Sequence, residues 1–232
     1  AHDVEGGVSK LEKLWTDLVF ERVLGFDIRQ LRKLPTAILG GTEPAGIFDA
    51  SALRALTTRE LDWNRLHQNV SRGILQAVTV TATNVLSGRP VVFYERAPGT
   101  KSPDQMAAQA IVRESQIRPE HVLASAAIPL VFPPVEIDGY LHCDGGLRLN
   151  TPMAPAIHLG AERLLVIGVS TPQTAGGAQL APGRFPGAQF LLGKVMNAFL
   201  LDHLNSDLVA LDRTNKLIRH GTRVFGARFL EE

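Results

Sequence analysis

Apolar residues at Leu11, Leu14, Trp15, Leu18 and Val19 recur at the spacing of one helical face. The stretch VSKLEKLWTDLVFERVL (8–24) is therefore predicted to be an amphipathic helix stopped by Gly25. PTAILGGTEPAGIF, rich in Gly and Pro, reads as a loop, and beyond it Asp49 and Asp62 offer N-caps for helices over about 50–60 and 63–71. In ILQAVTVTATNVLSGRPVVFYER the pattern changes: β-branched residues dominate, and Ser87-Gly88 separates two apolar runs. That is the signature of paired strands, near 75–86 and 91–95. RPEHVLASAAIP carries Pro119 where a first helical turn tolerates it and Pro129 where a helix must stop, so a short helix lies between them.

VEIDGYLHCD gives two short strands around an Asp138-Gly139 turn. In NTPMAPAIHLGAERLLVIGVS, Asn150 or Thr151 caps a helix that begins at Pro152 and ends by Gly160, and RLLVIGV follows as a continuous apolar strand buried on both faces. Strand, helix and strand in this order make a βαβ unit. Residues 171–187 read as a Gly- and Pro-rich loop, and 188–219 as a long helix with Leu201, Leu204, Leu208, Leu211 and Ile218 along a core-facing stripe. The closing RVFGARFLEE resembles the start of a further strand. Alternating strands and helices imply an α/β fold with a mostly parallel central sheet and an antiparallel hairpin.

Composition narrows the chemistry. The formal charge is +1 and the two signs are interleaved, which gives no electrostatic footprint for nucleic acid. Cys143 is the lone cysteine of the 232 residues, so they hold neither a disulfide framework nor a cysteine metal cluster, a usage that fits a reducing compartment. The histidines are too scattered for metal-ligand spacing, and no cofactor is implied. GGTEPAG fits neither the dinucleotide nor the P-loop spacing. No stretch reaches the roughly 18 uninterrupted apolar residues of a spanning helix, and AHDVEGG lacks the features of a signal peptide. A cytoplasmic or peripheral-membrane protein is the expectation.

The candidate chemistry sits in HCDGGLRLNTP (142–152). Side chains alternate along a strand, so His142 and Asp144 share one face and Cys143 points to the other, which argues against a Cys–His nucleophile. Cys143 then reads as a small buried hydrophobe, and His142 as either a neighbour of Asp144 or a polar residue at the strand edge. Gly145 and Gly146 would let the backbone take positive φ and leave room beside Asp144. Asp-Gly-Gly alone is equally an ordinary turn.

Context is supplied by three motifs in order, ASAAIPLVFPPV (124–135), DGGLRLNTP (144–152) and AIHLGAERLLVIGV (156–169). Together they resemble the C-terminal part of the patatin-like phospholipases, serine acyl hydrolases, and LEKLWTDLVFERVLGFD resembles the helix that follows the nucleophile in that family. The resemblance implies helices on both faces of the sheet and a Ser–Asp dyad, with Asp144 as base and Gly145 and Gly146 completing its motif. It also implies a Gly-x-Ser-x-Gly elbow and a Gly-rich oxyanion loop upstream. Neither is in this sequence, and neither Ser9 nor Ser170 has Gly two residues on. The expectation is one patatin-like domain over 1–232, incomplete at its N-terminus and inactive alone, whose complete protein hydrolyses lipid esters at a transiently contacted membrane or lipid surface. The alternative is a lipid-binding or regulatory module that keeps the fold without catalysis. The sequence leaves the oligomeric state and the ester open. A base of this kind should be desolvated and free of any nearby cation, so Arg148 is expected to point away from Asp144.

Overall fold

The computed structural model describes residues 4–17, 25–26, 48–103, 106, 110–147, 153–167, 203–226 and 229. Their contacts divide into two units, Ala1–Arg148 with Ala154–Glu162, and Leu149–Met153 with Arg163–Glu232.

In the first unit, α1 (Val4–Asp17) starts four residues earlier than the apolar pattern predicts, with Glu5 in its first turn favouring the helix dipole. Its expected continuation over 18–24 lies outside the described residues. Gly25 is found in a strand, since β1 (Gly25–Phe26) pairs antiparallel with β2 (Phe48–Asp49). Asp49 is thereby taken into β2 and does not cap α2 (Ser51–Glu60), whose N-cap is Ala50 with no side-chain bond. Asp62 does cap α3 (Trp63–Ser71), accepting the Arg65 N–H at 3.0 Å.

The main sheet contains β3 (Ala77–Asn84), β4 (Pro90–Arg96), β5 (Ile111–Glu114), β6 (Val135–Ile137) and β7 (Tyr140–Asp144), in the order β5-β4-β3-β7-β6. Two hairpins build most of it. Asp138 and Gly139 both take positive φ, 50° and 79°, the backbone that a two-residue turn between right-twisted strands requires. β4 and β5 are parallel, and the other three pairings are antiparallel, so the α/β fold has a mixed sheet. Its parallel share stays small because the expected strand at 163–169 is not formed over its described part. Residues 163–167 carry no strand, and Leu165 and Ile167 are 90% and 83% exposed. An apolar run becomes a strand only when a neighbouring backbone takes its N–H and C=O groups, and none of the described strands pairs with it.

One face of the sheet is sealed by α4 (Pro119–Ser125), the helix expected between Pro119 and Pro129. Ala82, Val91, Phe93, Leu123, Ala124 and Ile137 belong to the core formed there. The chain leaves α4 through Leu130, which holds φ 70° while 58% exposed. A left-handed conformation costs a residue with a Cβ about 1–2 kcal/mol, more than the flexibility penalty of glycine, about 0.5–1 kcal/mol. Leu130→Gly should therefore raise stability by roughly 0.5–1 kcal/mol, read as a higher urea midpoint. A lower midpoint would mean that Leu130 contributes mainly by packing. After β7 come a 3₁₀ turn (Gly145–Leu147) and α5 (Met153–His158), which stops before Gly160 at φ 100°. The cap expected at Asn150 or Thr151 lies outside the described residues.

In the second unit, α6 (His203–Phe225) is the described part of the long predicted helix. Of its predicted stripe, Leu211 is half-buried and Ile218 is 36% exposed, while Leu201 and the 171–187 loop lie outside the described residues. Arg223, Val224 and Phe225 extend the helix and do not begin a strand, because lengthening an existing helix adds one backbone bond per residue fixed. Gly226, at φ 77°, ends it. Among the described residues, no helix is long and apolar enough to cross a membrane.

Candidate active site

The site is built at the carboxyl end of β7. In the β3–β7 ladder, Ala82 faces Asp144, Thr83 faces Cys143 and Asn84 faces His142. Directly opposed residues share a face, so Asp144 and His142 lie on the α4 side of the sheet and Cys143 on the other, as strand alternation predicts.

Three backbone-level contacts hold Asp144. Its N–H donates to Ala127 O at 2.9 Å, its C=O accepts from Thr83 Oγ1 at 2.9 Å, and its Oδ1 accepts from the Gly146 N–H. The first contact is made where small residues close α4 and follow it. Ala124 and Ala127, 0% and 2% exposed, let that chain approach the end of β7. Thr83 and Ala127 carry Asp144 yet were not singled out from the sequence. The signal available was the Thr79, Thr81, Thr83 repeat, which puts hydroxyls on one face of β3.

The two glycines act differently from the sequence expectation. Neither takes positive φ; both enter the 3₁₀ turn. Gly145 is required by close approach, since a Cβ there would stand 2.7 Å from the Thr81 carbonyl carbon and 2.8 Å from its Oγ1. Gly146 contributes its N–H.

Asp144 is 8% exposed. Burial pushes its carboxyl pKa up, and the Gly146 N–H works in the opposite direction. Among the described residues no cation is ion-paired to it. Arg148 lies outside them. With Oδ1 engaged by Gly146, Oδ2 accepts no hydrogen bond from the described residues, which leaves it available to a proton. A desolvated carboxylate held rigidly with one open oxygen is suited to general-base work.

The neighbours do other things. Cys143 is half-buried, and burial followed by the Asp144 charge pushes its thiol pKa up, so it remains a poor nucleophile. His142 is neither a partner of Asp144 nor a polar edge residue. It is 4% exposed and meets the Phe93 ring edge-on at 5.4 Å, because its face of β7 is the one covered by the core. His121, fully buried, accepts the Arg118 N–H and closes the N-terminus of α4. Ser9 lies exposed on α1, and Ser170 is outside the described residues. No three His, Cys, Asp or Glu side chains among the described residues are gathered to hold a metal. A largely apolar cavity of about 410 Å³ adjoins the turn, walled by Pro129, Leu130, Phe132, Cys143 and Leu147.

The sequence of this chain is similar to those of known proteins. An uncharacterised NTE family protein of Mycobacterium bovis, and uncharacterised NTE family proteins from two strains of Mycobacterium tuberculosis, are each 29% identical over 153 residues. The match takes in 64% of this chain but only 41% of each relative, so the chain corresponds to less than half of their length. The model of the patatin-like phospholipases matches residues 2–157. Because that match runs through β7 and the whole Asp144 turn and covers more than half of the sequence, the chain belongs to the patatin-like phospholipase family.

Proposed function

We propose that this chain supplies the base half of a Ser–Asp dyad in a lipid acyl ester hydrolase. The observation that carries the reading is Asp144: a buried carboxylate with one oxygen fixed by Gly146 N–H and the other open. On this reading the nucleophile and the oxyanion donors lie outside residues 1–232, and these residues by themselves do not hydrolyse esters. Asp144 Oδ2 takes the proton of the serine hydroxyl as Oγ attacks the ester carbonyl. The tetrahedral intermediate expels the alcohol, which recovers that proton from Asp144 and leaves an acyl-enzyme. Asp144 then deprotonates a water, which releases the acid and restores the serine. A membrane or lipid surface is the transient partner that presents the substrate.

A second reading draws on the absence of any Gly-x-Ser-x-Gly from the 232 residues: a lipid-binding or regulatory module that retains the fold without a nucleophile. Labelling of the full-length protein with a fluorophosphonate probe separates the two. The dyad predicts modification of one upstream serine, at a rate that rises with pH through a midpoint above the ordinary Asp value of about 3.9, because only ionised Asp144 can accept the proton. A folded protein that takes no label would establish the module instead.

A further inference from the structure

At the other end of β7 from Asp144, a cavity of about 340 Å³ opens beside the β3–β4 and β6–β7 turns. It is near the lower bound of small-molecule sites, about 300–1,000 Å³. Val91, Phe93, Ile111 and Ile137 give it an apolar wall, and Arg113, Tyr140 and His142 stand among its polar groups.

Two features of this cavity point to a ligand. His142 Nδ1 is sealed from solvent and, among the described residues, has no partner at full hydrogen-bond geometry, the Tyr140 backbone being its nearest polar neighbour, although a buried polar atom left unpaired costs stability. Burial also favours the neutral ring, with the Tyr140 backbone opposing this effect. Arg113 is exposed, forms no ion pair among the described residues, and lies 6.0 Å above the centre of the Tyr140 ring. The cavity's own carboxylate, Asp138, is 3.7 Å from Arg118, which offsets its charge. Arg113 is thus left as a cation in the lining of an apolar hollow, over the Tyr140 ring and sharing the cavity with the neutral His142 ring.

A single guanidinium matches a single negative charge, and the wall behind it matches an alkyl chain. We propose that this cavity is a second site, separate from the Asp144 turn, that binds a free carboxylic acid with a short apolar chain. Such an acid is of the class an ester hydrolase releases. That link to a product rests on the proposed activity, whereas the binding itself does not.

The test is a titration of octanoate into the full chain, followed by heat and by the His142 ring resonances. Octanol supplies the same chain without charge, and inorganic phosphate supplies charge without a chain. Octanoate should saturate and shift the His142 signals, while octanol and phosphate bind more weakly by at least about tenfold. Arg113→Gln, at an exposed position outside the core, should weaken octanoate by about tenfold and leave the fold intact. Equal affinity of octanoate for Arg113→Gln and the parent, equal affinity of octanol and octanoate, or no saturable change at His142 would each overturn the proposal. No ester is turned over in these measurements, so a failure of the proposed hydrolysis would leave their outcome unchanged.

Discussion

Asp144→Asn in the full-length protein is expected to lower turnover of an acyl ester by about a thousandfold, the middle of the range for a lost general base. KM should change little, because in the proposed dyad the carboxylate acts on the serine proton and not on the substrate. The variant tests the base role cleanly. Asn keeps an oxygen able to accept the Gly146 N–H and preserves the backbone contacts to Thr83 and Ala127, so the turn is maintained while the basic oxygen is lost. Stability should move the opposite way from activity. The folded-state pKa of Asp144 is raised, so the native protein binds this proton more tightly than the unfolded chain does. Its stabilising contribution is full below the unfolded value, about 3.9, and is lost as pH rises through the folded one. At neutral pH the ionised carboxylate therefore costs stability that Asn does not, and the variant should unfold at higher urea than the parent. The two should converge in acid. Unchanged turnover in a folded Asp144→Asn protein would remove Asp144 from the chemistry.

The burial behind this expected cost in stability is visible only with the fold in hand, although Asp144 could be named as the proposed base beforehand. Alternation along LHCD was enough to place Asp144 and Cys143 on opposite faces, and Asp138-Gly139 was enough to place the hairpin, because both depend on local backbone geometry. What the pattern could not carry was pairing. RLLVIGV has the composition of a buried strand, but a strand is completed by its neighbour, and over 163–167 no described strand supplies one. Asp49 failed as a cap for a similar reason: a two-residue ladder with β1 claimed it. His142, expected beside Asp144 or at a polar strand edge, is core, since the sequence shows its face but not that α4 and Phe93 cover that face. The setting of Asp144 was the least legible part. Ala127 and Thr83 reach it across 17 and 61 residues of chain, distances over which periodicity carries no information.

Gly145 ties that setting to the sheet, and Gly145→Ala should be the most destabilising single-methyl change in the turn. The added Cβ would stand 2.7 Å from the Thr81 carbonyl carbon and 2.8 Å from Thr81 Oγ1, well inside van der Waals contact. A rotamer change of Thr81 can clear its hydroxyl, but it cannot move a carbonyl that belongs to the β3 backbone. The strain must therefore separate the 3₁₀ turn from β3 or distort the β3–β7 ladder at Ala82 and Asp144. Overpacking of a close-packed site costs about 1–3 kcal/mol and can exceed that against backbone, so a loss of roughly 3 kcal/mol is expected in urea unfolding. Thr81→Ala should fail to rescue it, because the carbonyl remains. If Asp144 is the base as proposed, activity should fall even under conditions where the variant is folded, since it is the adjacent residue and a displacement of about 1 Å at a catalytic group is enough to cost on the order of a hundredfold in rate. A Gly145→Ala protein with parental stability would show that β3 and the turn do not approach this closely. It would also remove the steric reason for glycine after Asp144.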